Sequence, residues 1–290
     1  MSCRRLKGMD IAMAEMIGRD EIVIRPGMGA LHYWRDIWRY RELFYFLAWR
    51  DILVRYKQTA IGIAWSVLRP LATMLVFTIV FGKLAKLPSN GVPYPVMVFS
   101  AMLPWQFFAN SLTESSNSLI DNANLLTKVY FPRLIVPAGS VIVSLVDFLI
   151  SFVILCCLMA WYRVIPDLKL LLLPLFLAMA FLASFGAGLW LSALNVQYRD
   201  FRYVVPFLVQ FGLYISPVGF SSSIVPEEWR FFYFLNPMVG VIDGFRWVLL
   251  GDAFPVNWPG LCLSAALTLL MFAGGLWYFR NMERSFADVV

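Results

Sequence analysis

Residues 170–198 contain no charged side chain, and no other feature narrows the possible folds of this chain as much. A helix crosses the roughly 30 Å hydrocarbon core of a bilayer with about 20 predominantly apolar residues, so this stretch is long enough to span. Similar apolar runs occupy about 61–82, 94–113, 137–161, 203–226 and 258–279. The composition agrees: 60% of residues are hydrophobic and 14% charged, against about 45–50% and about 25% in soluble domains. Outer-membrane barrels alternate polarity over segments of about 10 residues, which unbroken runs of this length exclude. The expected fold class is an all-α integral membrane protein with six transmembrane helices.

Six spans put both termini on one side, and the basic residues say which. Lys128, Arg133, Arg199, Arg202, Arg280 and Arg284 share that side with the many Lys and Arg ahead of the first span. Opposite lie Lys83, Lys86, Arg163, Lys169, Arg230 and Arg246. Lys and Arg accumulate in cytoplasmic loops, so the reading is N-in, C-in. Asp10 and Glu15 interrupt what would have to be the apolar core of a signal peptide, and no cleaved signal is expected.

Two segments are neither spans nor simple loops. Residues 33–59 carry Leu43, Phe46, Leu47, Leu53 and Val54 at helical spacing, with arginines around them and Trp34, Trp38, Tyr45 and Trp49 suited to the headgroup level. They read as an N-terminal interfacial amphipathic helix on the cytoplasmic leaflet, after a polar N-terminus over 1–32. Residues 231–242 are apolar but too short to cross, and Asn236-Pro237 breaks their backbone. They read as a re-entrant outer hairpin between spans five and six. Its residues Phe231, Tyr233, Asn236, Pro237, Asp243 and Arg246 are candidates for an outer lid. The spanning domain is thus expected over 60–280, with a cytoplasmic tail over 281–290.

Several chemistries are missing. No G-x-x-x-x-G-K-[ST] occurs, so the chain lacks the loop that cradles nucleotide phosphates. The single histidine, His32, gives no basis for a hydrolase triad. Cys3, Cys156, Cys157 and Cys262 form no C-x-x-C pair. No metal site is indicated. The net charge of +6 comes without any nucleic-acid-binding motif, and in this setting it fits anchoring to membrane lipids.

Ionisable groups inside apolar runs are functional hypotheses by default. Arg69 lies near the start of span one and Asp147 near the middle of span three, with Glu114 just past span two. Asp147 could pack between helices, face water in a pore, or carry protons, and the sequence leaves these open. Aromatic rings make up 17% of the chain. Trp105, Phe107, Phe108, Phe211 and Tyr214 are candidates for a pathway lining, with lipid-facing bulk as the plainer reading of each. The inner loops carry Asn124, Thr127, Lys128, Tyr130 and Arg133, then Tyr198, Arg199, Asp200 and Arg202, and are compact enough to dock a cytosolic partner.

The string Val54-Arg55-Tyr56-Lys57-Gln58-Thr59 with Gly62, Trp65 and Pro70 resembles the start of an ABC-2 type polysaccharide export permease. Similar matches run from Asn124 to Arg133 and from Tyr198 to Tyr203. Others are Ser216-Pro217-Val218, Leu235-Asn236-Pro237-Met238 and Gly244-Phe245-Arg246. The likeness extends from about residue 35 to the C-terminus, and is to the membrane subunit of O-antigen, capsule or teichoic-acid exporters, type V-like in architecture. It implies a homodimer bound to two copies of an ABC nucleotide-binding subunit, which would hold ATP and Mg; this chain would bind no cofactor itself. The cargo implied is a lipid-linked polysaccharide, with Arg55 and Arg69 joining Asp147 and the aromatic candidates along its path. The two inner loops would meet the ATPase, and the hairpin would gate the outer end. A different class, an ion-gradient-driven transporter or lipid flippase, would need clustered membrane acids and no ATPase. An integral membrane glycosyltransferase would need acids in the first outer loop, which lacks them.

Overall fold

The computed structural model describes residues 30–57, 62–128, 131–198, 200–283 and 286, the side chains of 30–34, 62 and 63 excepted. Everything regular in these residues is helical. In chain order the α-helices are α1 (Ala30–Arg39), α2 (Arg41–Lys57), α3 (Gly62–Phe77), α4 (Tyr94–Asp121), α5 (Ala123–Leu126) and α6 (Ile135–Trp161). They continue with α7 (Leu173–Gln197), α8 (Phe201–Ile215), α9 (Glu227–Tyr233), α10 (Pro237–Leu250) and α11 (Trp258–Met282). A π-helical turn, Thr78–Leu84, prolongs α3, and a 3-10 turn, Leu168–Leu172, leads into α7.

Four of these, Ala64–Leu84, Ile135–Trp161, Leu168–Gln197 and Trp258–Met282, are long and apolar enough to cross a membrane. The other two expected spans differ from their sequence reading. The second is a 28-residue helix, α4, which runs on as helix through Glu114 to Asp121 where a polar loop was expected from residue 115. It is long enough to span, apolar over its first part and polar from Thr113 on, and it is the hub of the fold: α6 and α7 pack along it, and α3, α8 and α10 also touch it. Its buried Ser100, Ser116 and Ser118 donate their hydroxyls to carbonyls three residues back, at 2.8–2.9 Å. A hydroxyl satisfied by its own helix can be buried cheaply, and small side chains let neighbouring helices approach closely.

The fifth expected span, 203–226, holds most of the 15-residue α8 and a 3-10 turn, Ser222–Ile224; α8 is about 22 Å long at 1.5 Å per residue, short of the hydrocarbon thickness. The rest of that apolar stretch leaves the helix at Ser216-Pro217. It is apolar because it is buried: Ser216, Pro217, Val218 and Gly219 are all sealed inside the protein. The expected interfacial helix is two helices, α1 and α2, meeting at Tyr40. α2 is docked on α6, with Leu47 and Ala48 buried against Gly139, while Trp38, Tyr45, Phe46 and Trp49 are exposed.

The core is continuous from α4 through α6, α7 and α10. The tightest crossing joins α7 to α11. A Cβ on Gly275 would lie 2.1 Å from the Gly186 carbonyl oxygen, and one on Gly186 would lie 2.5 Å from the Phe272 Cα. Only hydrogen fits at either position, as in the small-residue seams of membrane helices.

Candidate functional site

At one end of the bundle, three elements carry a polar cluster. Arg55 near the end of α2 reaches both carboxylates singled out above: Nη2 lies 2.7 Å from Asp147 Oδ2, and Nη1 lies 3.2 Å from Glu114 Oε1. The neighbouring Tyr56 hydroxyl donates to Asp147 Oδ1. Burial, reinforced by the facing carboxylate, raises the Tyr56 phenol above its ordinary value, which keeps it a donor. One turn earlier Arg50 pairs with Asp51 at 2.7 Å and donates to Asn122 Oδ1 at 2.8 Å. These groups rim a cleft of about 450 Å³, lined by Arg50, Asp51, Arg55, Glu114, Asp121 and Asn122 among others. Three carboxylates, Asp51, Glu114 and Asp121, face two guanidiniums there, so the cleft is not an anion site. Its geometry is that of a clasp holding α2 against α4 and α6. Among the described residues no His, Cys, Asp and Glu group could hold a metal ion.

The inner-loop residues sit at this same end. Asn195, fully buried near the end of α7, donates to the Ser116 carbonyl at 3.1 Å and to Asn117 Oδ1 at 3.0 Å. That bond sets the ends of α4 and α7 side by side. Asn124, Thr127, Lys128, Tyr198, Asp200 and Arg202 are exposed around them, free to meet a partner. Tyr130 and Arg199 lie outside the described residues. Arg133 differs from the rest: it is half-buried and bound to the end of α11. Its backbone N–H donates to Glu283 Oε1 at 2.8 Å, and its guanidinium donates to the Glu283 backbone carbonyl and lies 5.7 Å over the Phe286 ring.

The opposite end is built around Arg246 of α10, which is completely buried. Its guanidinium donates to the carbonyls of Phe220 at 2.7 Å, Val218 at 3.0 Å and Met97 at 3.4 Å, and faces the Phe254 ring at 5.6 Å. The Tyr94 hydroxyl donates to the Gly219 carbonyl, and Asn236 Nδ2 donates to Ser216 Oγ at 2.9 Å. Non-helical backbone away from water needs internal partners; Arg246 and Tyr94 supply them to the carbonyls of 218–220, and Asn236 holds the segment by the Ser216 side chain. The break at Asn236-Pro237 is a helix start: Asn236 caps the Met238 N–H at 3.0 Å, and Pro237 occupies the first turn. Of the hairpin, α10 is core, whereas Phe231, with Trp229 and Phe232 on α9, is exposed. Tyr233 turns its hydroxyl inward without a partner, and Asp243 is half-buried.

The aromatic candidates divide in the same way. Trp105 and Phe107 are buried in the helix packing, Trp105 against Gly212 of α8 and Phe107 edge-on to Phe148 of α6 at 5.7 Å. Phe108 is half-buried beside Trp105. Phe211 and Tyr214 are exposed on α8, together with Tyr203 and Phe207. Arg69 is exposed on α3, two turns into the helix. Tyr56, Asn122, Glu283, Phe286 and Tyr94 escaped the sequence reading as site residues, because each acts through a partner far away in the chain.

Residues 42–250 match the ABC-2 type transporter family. The chain is also similar to the O-antigen export system permease protein RfbA of Myxococcus xanthus, 26% identical over 88% of this chain and 98% of that one. Similarity extends to the polysialic acid transport protein KpsM of Escherichia coli, at 23% identity over 81% and 92% of the two chains. It extends also to the capsule polysaccharide export inner-membrane protein CtrC of Neisseria meningitidis, at 25% over 78% and 87%. The matched segment begins in α2 and ends with α10, and so contains the clasp, both inner loops and the buried Arg246. The chain is a multi-pass membrane protein, and it belongs to the ABC-2 type transporter family.

Proposed function

We infer that this chain is the membrane-spanning permease of an ATP-driven exporter that moves a lipid-linked polysaccharide across a bacterial cytoplasmic membrane. It works as a homodimer with two copies of an ABC nucleotide-binding subunit, which hold ATP and Mg. The observation that carries the reading is the family match over residues 42–250, to which the export relatives add the class of cargo. The sequence has no nucleotide-binding loop of its own, so energy comes from outside the chain.

The topology proposed is N-in, C-in, with α3, α4, α6, α7, α8 and α11 as the six crossing elements and α1–α2 at the cytoplasmic surface. α4 and α8 then cross with the support of their neighbours rather than as free-standing spans. Saccharide hydroxyls are costly to desolvate, so a glycan needs a wet path, which two copies would enclose between them. The exposed aromatic face of α8, with Tyr203, Phe207, Phe211 and Tyr214, suits the wall of such a path between two copies. Its flat rings offer CH-stacking without sequence preference. Arg69, exposed on α3, belongs to the same reading. On the inner side Asn124, Thr127, Lys128, Tyr198, Asp200 and Arg202 would contact the ATPase, with Tyr130 and Arg199 in the same loops. On the outer side α9 is the part of the hairpin suited to move, since α10 is core.

One observation favours a second reading, an ion-gradient-driven transporter: Glu114 and Asp147 converge on Arg55. The arginine ion-pairs with both carboxylates and offsets one of their two charges, and Tyr56 holds Asp147 as well, which suits a structural clasp better than a proton relay. Export into sealed inverted vesicles separates the two. The exporter reading predicts lipid-linked glycan uptake that needs ATP and survives a protonophore. Uptake without ATP that the protonophore abolishes would replace it with the gradient-driven reading.

A further inference from the structure

The contact between Arg133 and the end of α11 joins two places 150 residues apart in the chain. The segment between α4 and α6 is held at its start by Arg50 of α2, which donates to Asn122. At its finish it is held by the last helix. There Arg133 uses both its backbone N–H and its guanidinium on Glu283, and its charge lies over Phe286. Phe286 is itself buried edge-on against Phe279 of α11, with ring centroids 5.4 Å apart. A loop serving only to be touched by a partner needs no such double attachment. A segment that must pass a displacement on to the helices does.

We propose that Glu283 and Phe286 are positioning residues that latch the inner segment to the last span through Arg133. A push by the ATPase on Asn124–Lys128 is then delivered to α11 as well as to α2, and α11 passes it through the Gly186–Gly275 crossing to α7. The proposal rests on the exporter reading for its source of force, whereas the latch itself is a property of this chain. Sequence inspection ranks Arg133 with the exposed contact residues; its partners assign it to transmission.

The test uses the full permease with its nucleotide-binding subunits in proteoliposomes, reading glycan exported per ATP hydrolysed. Glu283→Ala removes the acceptor for the Arg133 N–H, Glu283→Gln keeps an acceptor oxygen there, and Phe286→Ala removes the ring beneath the guanidinium. Coupling between sites commonly amounts to 5–150-fold, so Glu283→Ala and Phe286→Ala should lower export per ATP by at least about fivefold. ATPase binding and the melting temperature should stay near wild type, and Glu283→Gln should restore most of the ratio. A second measurement needs no export: spin labels at Asn124 and Asn281, both exposed, should give one narrow distance in the native chain and a broadened one in Glu283→Ala. Unchanged export per ATP in the Ala variants, or a loss that only tracks melting temperature, overturns the latch, as does a broad distance in the native chain. A native complex that exports without ATP while keeping the narrow distance overturns the exporter reading and leaves the latch standing as geometry.

Discussion

Arg246 shows how a single residue can decide a local fold. Its three hydrogen bonds end on backbone carbonyls, two of them in the segment that leaves α8. Arg246→Met keeps most of the bulk and strips the donors, leaving the Val218 and Phe220 carbonyls buried without that partner, at about 1–3 kcal/mol each. The expected outcome is a markedly lower melting temperature in detergent and poor recovery of monodisperse protein. A melting curve superimposable on wild type would contradict this role. At the clasp, Tyr56→Phe removes one part-buried hydrogen bond to a charged acceptor, a change of about 1.5–3 kcal/mol. Thermal unfolding of Tyr56→Phe, Asp147→Ala and the double variant measures it, and the losses should be less than additive because both remove the same bond. Asp147 was visible in the sequence as a carboxylate in an apolar run. Arg55 is placed beside it only through the family resemblance, and Tyr56 is not legible as a site residue, since 91 residues separate Tyr56 from Asp147 and only the docking of α2 on α6 brings them together.

Among the elements, those whose apolar face meets lipid were legible to within a few residues, as α6, α7 and α11 illustrate. α4 and α8 were not, and for opposite reasons. α4 hides its serines from lipid, so a hydropathy reading ended it too early. The stretch after α8 is apolar because protein covers it, so the same reading carried the helix too far. The α7–α11 crossing gives a sharp expectation at this scale. Gly275→Leu forces the two backbones apart and should abolish stable packing, beyond the roughly 1–3 kcal/mol of ordinary overpacking. Gly274→Ala should be tolerated, since its nearest contact would be the Trp190 ring at 3.7 Å. Size-exclusion profiles of the two purified variants make the comparison, and equal behaviour would refute the seam.

In the proposed topology the end with the clasp, the Arg133–Glu283 contact and both loops faces inward, and the end built around Arg246 and α9–α10 faces outward. Substituted-cysteine labelling in sealed cells should reach Asn90 and Ser223 from outside, and Asn124 and Asp200 only after permeabilisation. Labelling of position 124 in intact cells would reverse the orientation. The count of apolar runs and the bias of Lys and Arg are the sequence features from which this orientation is argued. How two chains would meet is not written in periodicity, because an aromatic face such as that of α8 reads the same against lipid, cargo or a second copy. The claim on which the account turns is that the chain works only with an ATP-hydrolysing partner. The most direct measurement is the composition, mass and activity of the assembly purified from its own host in mild detergent. The account predicts two copies of this chain with two of a P-loop ATPase, hydrolysing ATP faster when the lipid-linked glycan is added. A chain that purifies alone and moves saccharide into vesicles lacking ATP would contradict it.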